Sequence, residues 1–229
     1  MTWIVANWDQ IARYGLQHVW LSVPPIVAGT ALSIPLGQLA NRYRLSRGVL
    51  LSIGGILYAI PSLPLFVLLP SLLGTRILDP LNVEVALTIY ALALMLRATA
   101  DALASVDGQV TLSATAVGYG GWRRFWGVEL PLAGPVILAG VRVVSASTVS
   151  LVTVGSLIGV NSLGFFFLDG YQRYFPTEIW VGIVGTVVIA VVFDLLLVLA
   201  GRLLMPWARP SRRAGRATAT LLGVEAEPS

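Results

Sequence analysis

Few side chains in these 229 residues are equipped for chemistry. His18 is the only histidine and cysteine is absent, so imidazole or thiolate metal sites and disulfides cannot be assembled. All 15 basic residues are arginine. Without lysine the chain can write neither a GxxxxGK[ST] phosphate loop nor a Schiff base. We therefore expect no catalytic residue, no metal and no cofactor on this chain, and any ATP it depends on must sit on a partner. Asp194 lies late in an apolar run, where a lone carboxylate is costly and usually faces protein or water. Pairing with Arg97 or Arg142 is the expectation. His18, at the start of another apolar run, reads as a wet interfacial residue. Pro61, Pro64 and Pro70 punctuate the second apolar run, each removing a backbone donor. In a bilayer the freed carbonyls must be covered by protein or line a cavity. Tyr58, Pro61, Ser62 and Pro64 are accordingly candidate lining of a pathway, the alternative being a kinked helix packed on its neighbours.

The elements that must position these residues follow from composition. The set AVILMFWYC makes up 56% of the chain, charged residues only 11%, and mean hydropathy is +0.82. A soluble domain of this length has too little interior to hide that much apolar side chain. The fold class is all-α, a polytopic membrane protein. Runs of about 20 apolar residues suit helices across ~30 Å of hydrocarbon, and they are too long and continuous for barrel strands. Five spans are expected, at about 19–40, 48–73, 83–103, 135–158 and 179–205, inside a transmembrane domain covering 19–207. Small residues at four-residue spacing, Gly29/Ser33/Gly37 and Gly155/Gly159, suit close helix packing.

Residues 1–18 lack the basic start and the small-residue exit of a secretory signal. Trp3, Ile4, Trp8, Ile11 and Tyr14 fall near one helical face, opposite Asp9, Gln10 and Arg13. This suits an external interfacial helix, with an irregular tail as the alternative. Five spans place 12 arginines on one side (the segments around Arg42–Arg47, Arg97–Arg142 and Arg202–Arg216) and three, Arg13, Arg76 and Arg173, on the other. The positive-inside rule then puts the N-terminus outside and the C-terminus in the cytoplasm. Residues 208–229, rich in Arg, Ala and small polar residues, read as a disordered cytoplasmic tail, the alternative being contact with anionic lipid.

The segment 101–134, DALASVDGQVTLSATAVGYGGWRRFWGVELPLAG, is long for a connection and lies on the same side as the C-terminus. Leu112, Ala116 and Tyr119 share a helical face. Gly118, Gly120 and Gly121 then break the helix, and Trp122, Phe125, Trp126 and Val128 supply apolar knobs. A short helix ended by glycines and presenting aromatics suits insertion into a partner's groove, while a surface helix lying on the membrane is the alternative.

From Leu112 to Pro131 this segment resembles the EAA loop of permease subunits of bacterial binding-protein-dependent ABC importers. That pattern is Glu-Ala-Ala, three residues, Gly, nine residues, then Ile-x-Leu-Pro. Ala114 takes the last Ala, Gly118 the Gly, and Val128, Glu129, Leu130 and Pro131 the closing tetrad. Leu112 stands where Glu is usual and Ser113 where Ala is usual. The stretches YAIPSLPLFVLLPSLLG, IYALALMLRATADAL, LPLAGPVILAGVRV and GSLIGVNSLGFFFLDG extend the likeness, from about Trp20 to Trp207, to the osmoprotectant (glycine betaine/carnitine/choline) permeases. The bulky Phe165–Phe167 run departs from the pattern. The resemblance implies a type I ABC importer permease (MetI-like) core in the bacterial cytoplasmic membrane. It implies a coupling helix that seats in an ATP-binding cassette subunit through Leu112, Ser113, Ala114, Gly118, Trp122, Arg123, Glu129, Leu130 and Pro131. ATP and magnesium would be held by that subunit. The other implied partners are a second permease, identical or related, an extracytoplasmic substrate-binding protein and membrane lipid, with no nucleic acid. The implied function is import of a quaternary ammonium osmoprotectant, with methionine, a sulfonate or a phosphonate as the alternative solute.

Overall fold

The computed structural model describes residues 2–208; the tail expected at 208–229 lies, past Ala208, outside the described residues. Among those described there is no strand. A short helix α1 (Thr2–Ala6) leads through Asn7 into α2 (Trp8–Arg42), a rod of 35 residues. At 1.5 Å per residue α2 is about 52 Å long, well beyond a bilayer's hydrocarbon. Residues 8–18 are thus the first turns of the same helix that carries the first apolar run, instead of a separate segment. Trp3 and Tyr14 pack their rings on Phe165, Phe166 and Phe175 from the other end of the sequence.

Next come α3 (Arg44–Ala59) and α4 (Ser62–Leu73), which together cover the proline-punctuated run and meet at a 101° bend. The bend falls where Pro61 ends the hydrogen-bond ladder, as its missing N–H requires. Helix α5 (Pro80–Ala104) starts cleanly because the Asp79 side chain accepts from the Leu81 amide and proline occupies the first helical position. After it lie α6 (Gly108–Ala116) and α7 (Gly121–Arg124), the latter continuing through a π turn (Phe125–Glu129) into α8 (Leu130–Val152) and a 3-10 stretch (Thr153–Ile158). Helices α9 (Gly164–Gln172) and α10 (Pro176–Leu204) complete the bundle. Among the described residues four helical stretches are long and apolar enough to cross a membrane, and the bent α3–α4 pair makes a fifth if it counts as one span.

Helix α5 is the axis of the core, with Val83, Ala86, Leu87, Met95, Ala100 and Ala102 all fully buried. It is gripped by α2, which runs parallel to it. A Cβ on Gly29 would lie 2.5 Å from the Ala91 Cβ, and one on Gly37 would lie 2.7 Å from the Thr99 Cγ2. Between them the Ser33 and Thr99 hydroxyls meet at 3.0 Å. The four-residue spacing of Gly29, Ser33 and Gly37 is therefore the contact stripe itself, where absent side chains let two backbones approach. Helix α10 takes the opposite role. None of its most apolar 18-residue window is buried, so that surface faces outward, as a lipid-facing helix would.

Two ionisable groups settle differently. Arg142 in α8 donates to both Asp194 oxygens in α10, Nε to Oδ1 at 2.5 Å and Nη2 to Oδ2 at 2.8 Å. Of the two expected partners the geometry selects Arg142. His18, by contrast, is not a wet interfacial residue. It is fully buried, and its Nε2 lies 2.9 Å from the Val149 carbonyl of α8. The correction has a simple cause. Depth along α2 is legible in its apolar run, but the face that meets α8 is fixed only when the helices dock.

Candidate functional site

The 101–134 segment folds as a helix, a hairpin turn and a return. The Asp107 side chain caps α6 by accepting from the Gln109 amide at 2.8 Å. The helix ends in a Schellman turn. The Gly118 amide donates to the Thr115 carbonyl and the Tyr119 amide to the Ala114 carbonyl, each at 3.0 Å. Gly118 has φ +93°, a left-handed conformation open to glycine at no steric cost. The chain then reverses through Gly120 into α7.

What holds α6 against this return is an arginine that the sequence pattern did not single out. Arg124 donates from Nε to Glu129 Oε1 at 2.6 Å and from Nη1 to the Thr115 hydroxyl at 2.9 Å. Glu129 also receives a long contact, 3.5 Å, from the Gln38 amide of α2. The π turn between Phe125 and Glu129 rotates Glu129 inward, leaving it 7% exposed. The signal for this pair was present as an Arg and a Glu five residues apart, a spacing that only a π turn brings to one face. Arg123 stacks over the Tyr119 ring at 4.9 Å. Beneath the segment Phe125 is buried, and the Trp207 indole donates to the Pro131 carbonyl at 3.2 Å.

The residues singled out on this segment divide in two. Leu112, Ser113, Gly118, Trp122 and Arg123 face outward, with Leu112 65% and Trp122 77% exposed. Ala114 and Glu129 face inward, and Leu130 and Pro131 are half-buried where α8 begins. Of the four expected apolar knobs Trp122 and Trp126 are exposed, whereas Val128 is half-buried and Phe125 is buried because the π turn carries it under the segment; Val117 and Val110 add to the outward face without having been singled out. Leu112 and Ala116 are both exposed, whereas Tyr119, expected on the same face, is half-buried under Arg123. Between this segment and α2 lies a cavity of about 750 Å³, bordered by Pro35, Gln38, Arg42, Trp122, Phe125 and Trp126. The segment presents an apolar ledge on a braced hairpin whose two ends run into α5 and α8, so force applied to the ledge is delivered to both.

The proline run is a second point of interest. At the α3–α4 bend the Ile60 carbonyl loses its helical partner and instead accepts the Tyr90 hydroxyl from α5. This is the cover that a broken helix in a membrane requires, supplied from 30 residues away, where no local pattern announces it. The Tyr58 ring stands edge-on to Tyr90 at 6.0 Å. Tyr58, Pro61 and Pro64 are exposed on the surface of the chain and Ser62 is half-buried. Among the described residues no group of three or more His, Cys, Asp or Glu is placed to hold a metal.

Residues 21–213 match the family model described as binding-protein-dependent transport system inner membrane component. The glycine betaine/carnitine/choline transport system permease protein OpuCB of Bacillus subtilis (strain 168) is 28% identical over 206 residues, covering 90% of this chain and 94% of its own. The choline transport system permease protein OpuBB of the same organism is 30% identical, covering 87% of this chain and 91% of its own. Osmoprotectant import permease protein OsmY of Salmonella typhimurium (strain LT2) is 31% identical, covering 84% and 81%. A chain of the MetNI methionine ABC transporter in an inward-facing conformation superposes with TM-score 0.71 at 20% identity, covering 90% of this chain and 99% of that one. That likeness is one of fold.

Proposed function

This chain belongs to the binding-protein-dependent transport system inner membrane component family, and we propose that it is the permease subunit of an ATP-driven importer of quaternary ammonium osmoprotectants such as glycine betaine, carnitine or choline. The observation that carries the reading is the likeness, at 28–31% identity and over most of each chain, to permeases named for those solutes. The chain lacks the groups to hydrolyse ATP itself. An ATP-binding cassette subunit supplies the energy, an extracytoplasmic binding protein delivers the solute, and a second permease, identical or related, completes the pathway.

The ledge formed by Leu112, Val117 and Trp122 is the surface we assign to the ATP-binding subunit. Closure of the nucleotide sites moves α6, and the Arg124 bridges to Thr115 and Glu129 make α6 and the start of α8 move together. Through the short link after Ala104 the same displacement reaches α5, and through the Gly29 and Gly37 contacts it reaches α2. The result is rigid-body rocking between outward- and inward-open states. The N-terminus lies outside and the 101–134 segment in the cytoplasm, the orientation that the arginine distribution supports. The Tyr58–Pro64 bend lines the pathway.

The direct test is expression of the tagged chain with the transporter genes that accompany it. An ATP-binding subunit should co-purify, and the complex should accumulate labelled glycine betaine, carnitine or choline in cells lacking their own osmoprotectant importers. Absence of the ATP-binding subunit from the purified complex would refute the assembly. Uptake of methionine or a sulfonate in place of all three compounds would refute the substrate class.

A further inference from the structure

At the end of the bundle opposite the coupling segment, a cavity of about 690 Å³ opens between the first half of α2, the start of α5 and the turn that follows the 3-10 stretch. Its volume falls within the ~300–1,000 Å³ typical of small-molecule sites. Trp20 and Gln17 border it from α2, Glu84 from α5, Leu78 from the α4–α5 link, and Gly159 and Asn161 from the turn. Glu84 lies roughly 30 Å along α5 from Ala104, at 1.5 Å per residue.

Among the described residues Asp9, Asp79, Glu84 and Asp107 make no ion pair; Asp79 and Asp107 cap helices and Asp9 is exposed in the first turn of α2, which leaves Glu84 as the half-buried one. Asp101, Glu129, Asp169, Glu178 and Asp194 each form an ion pair with an arginine. Glu84 is half-buried in a membrane-spanning helix and, among the described residues, makes no ion pair. No basic side chain borders the cavity. Asp79 nearby is occupied in capping α5 and adds to the negative field. A half-buried carboxylate near the start of a span, on a cavity with no basic neighbour, leaves its charge open to a cationic ligand. Trp20, which borders the same cavity, is 74% exposed. A quaternary ammonium group carries no N–H donor, so it is held by a π face and by opposite charge, not by hydrogen bonds. Trp20 and Glu84 supply those two elements. The floor is sculpted by Gly159 at φ +85°, where a Cβ would stand 2.6 Å from the Leu78 Cδ2.

We propose that this cavity is a transfer site for the quaternary ammonium head of the transported solute, with the Glu84 carboxylate as counter-charge and the Trp20 indole as the π face. The proposal rests on the osmoprotectant reading above. It makes the permease itself, and not only the delivering protein, selective for charge. Choline carries a net positive charge, whereas glycine betaine is a zwitterion whose own carboxylate offsets it. The site therefore favours choline more strongly.

The test uses the complete transporter in proteoliposomes with its binding protein saturated by each solute, so that delivery affinity drops out. Glu84→Gln should lower the turnover of choline about tenfold and that of glycine betaine no more than about threefold. Trp20→Leu should lower both about tenfold, and Trp20→Phe should restore most of each. Turnover within twofold of wild type for both solutes in Glu84→Gln and Trp20→Leu would overturn the site while leaving the substrate reading intact. An equal fall for both solutes in Glu84→Gln would overturn it in favour of a structural role. A wild-type transporter that moves neither solute would overturn both readings together.

Discussion

Individual residues in this chain earn their places by geometry more than by reactivity. Gly118 occupies a left-handed turn with open space around its Cα, so a side chain there meets no wall but strains the backbone. The left-handed conformation costs an ordinary residue about 1–2 kcal/mol, enough to loosen the Schellman turn that aims α6. Gly118→Trp should therefore insert into the membrane at normal levels, while uptake falls at least tenfold. Wild-type uptake in that variant would remove α6 from the coupling role. The Arg142–Asp194 pair gives a second residue-scale prediction. Both groups sit in apolar helices, and removal of one leaves the other without compensation. Arg142→Met and Asp194→Leu should each reduce the yield of folded protein and lower its thermal midpoint, and the double variant should recover most of both. A double variant worse than either single one would show that the two residues have separate tasks.

At the scale of elements, the parallel pairing of α2 with α5 is the contact on which the bundle turns. The approach at Gly29 leaves no room for even one methyl group without displacing Ala91. Gly29→Leu should cost about 1–3 kcal/mol or more by overpacking, read as a fall in thermal midpoint in detergent. Gly15, whose Cβ would meet nothing within 4 Å, is the control, and Gly15→Leu should leave the midpoint within a degree or two. The broken α3–α4 element follows another logic. Proline alone dictates that the helix stops near Pro61. Whether the loose Ile60 carbonyl is tolerated depends on Tyr90 of α5. The break was legible in the sequence, but its support was not.

For the whole molecule, absence of cysteine makes orientation directly measurable. Leu45 is 82% exposed beside the arginine-rich end of α3, and Ile77 is 68% exposed at the opposite end of the bundle. With the proposed orientation, Ile77→Cys should react in intact cells with a membrane-impermeant maleimide, and Leu45→Cys only after permeabilisation. The reverse pattern would invert the topology. Composition and periodicity by themselves determined that this chain is an all-helical membrane protein, where its apolar runs lie, that the second run breaks at proline, and that no lysine-based phosphate loop can be written in it. Each of these depends on local composition or on the absence of a residue type, and both are properties of the chain before it folds. Only the tertiary structure decided that His18 is buried against α8, that Asp194 takes Arg142, that Glu129 turns inward to Arg124, and that Glu84 and Trp20 border one cavity. These are questions of which helix face meets which. Two helices can rotate about their axes without altering any local pattern, so the answer exists only once side chains far apart in the sequence compete for the same space.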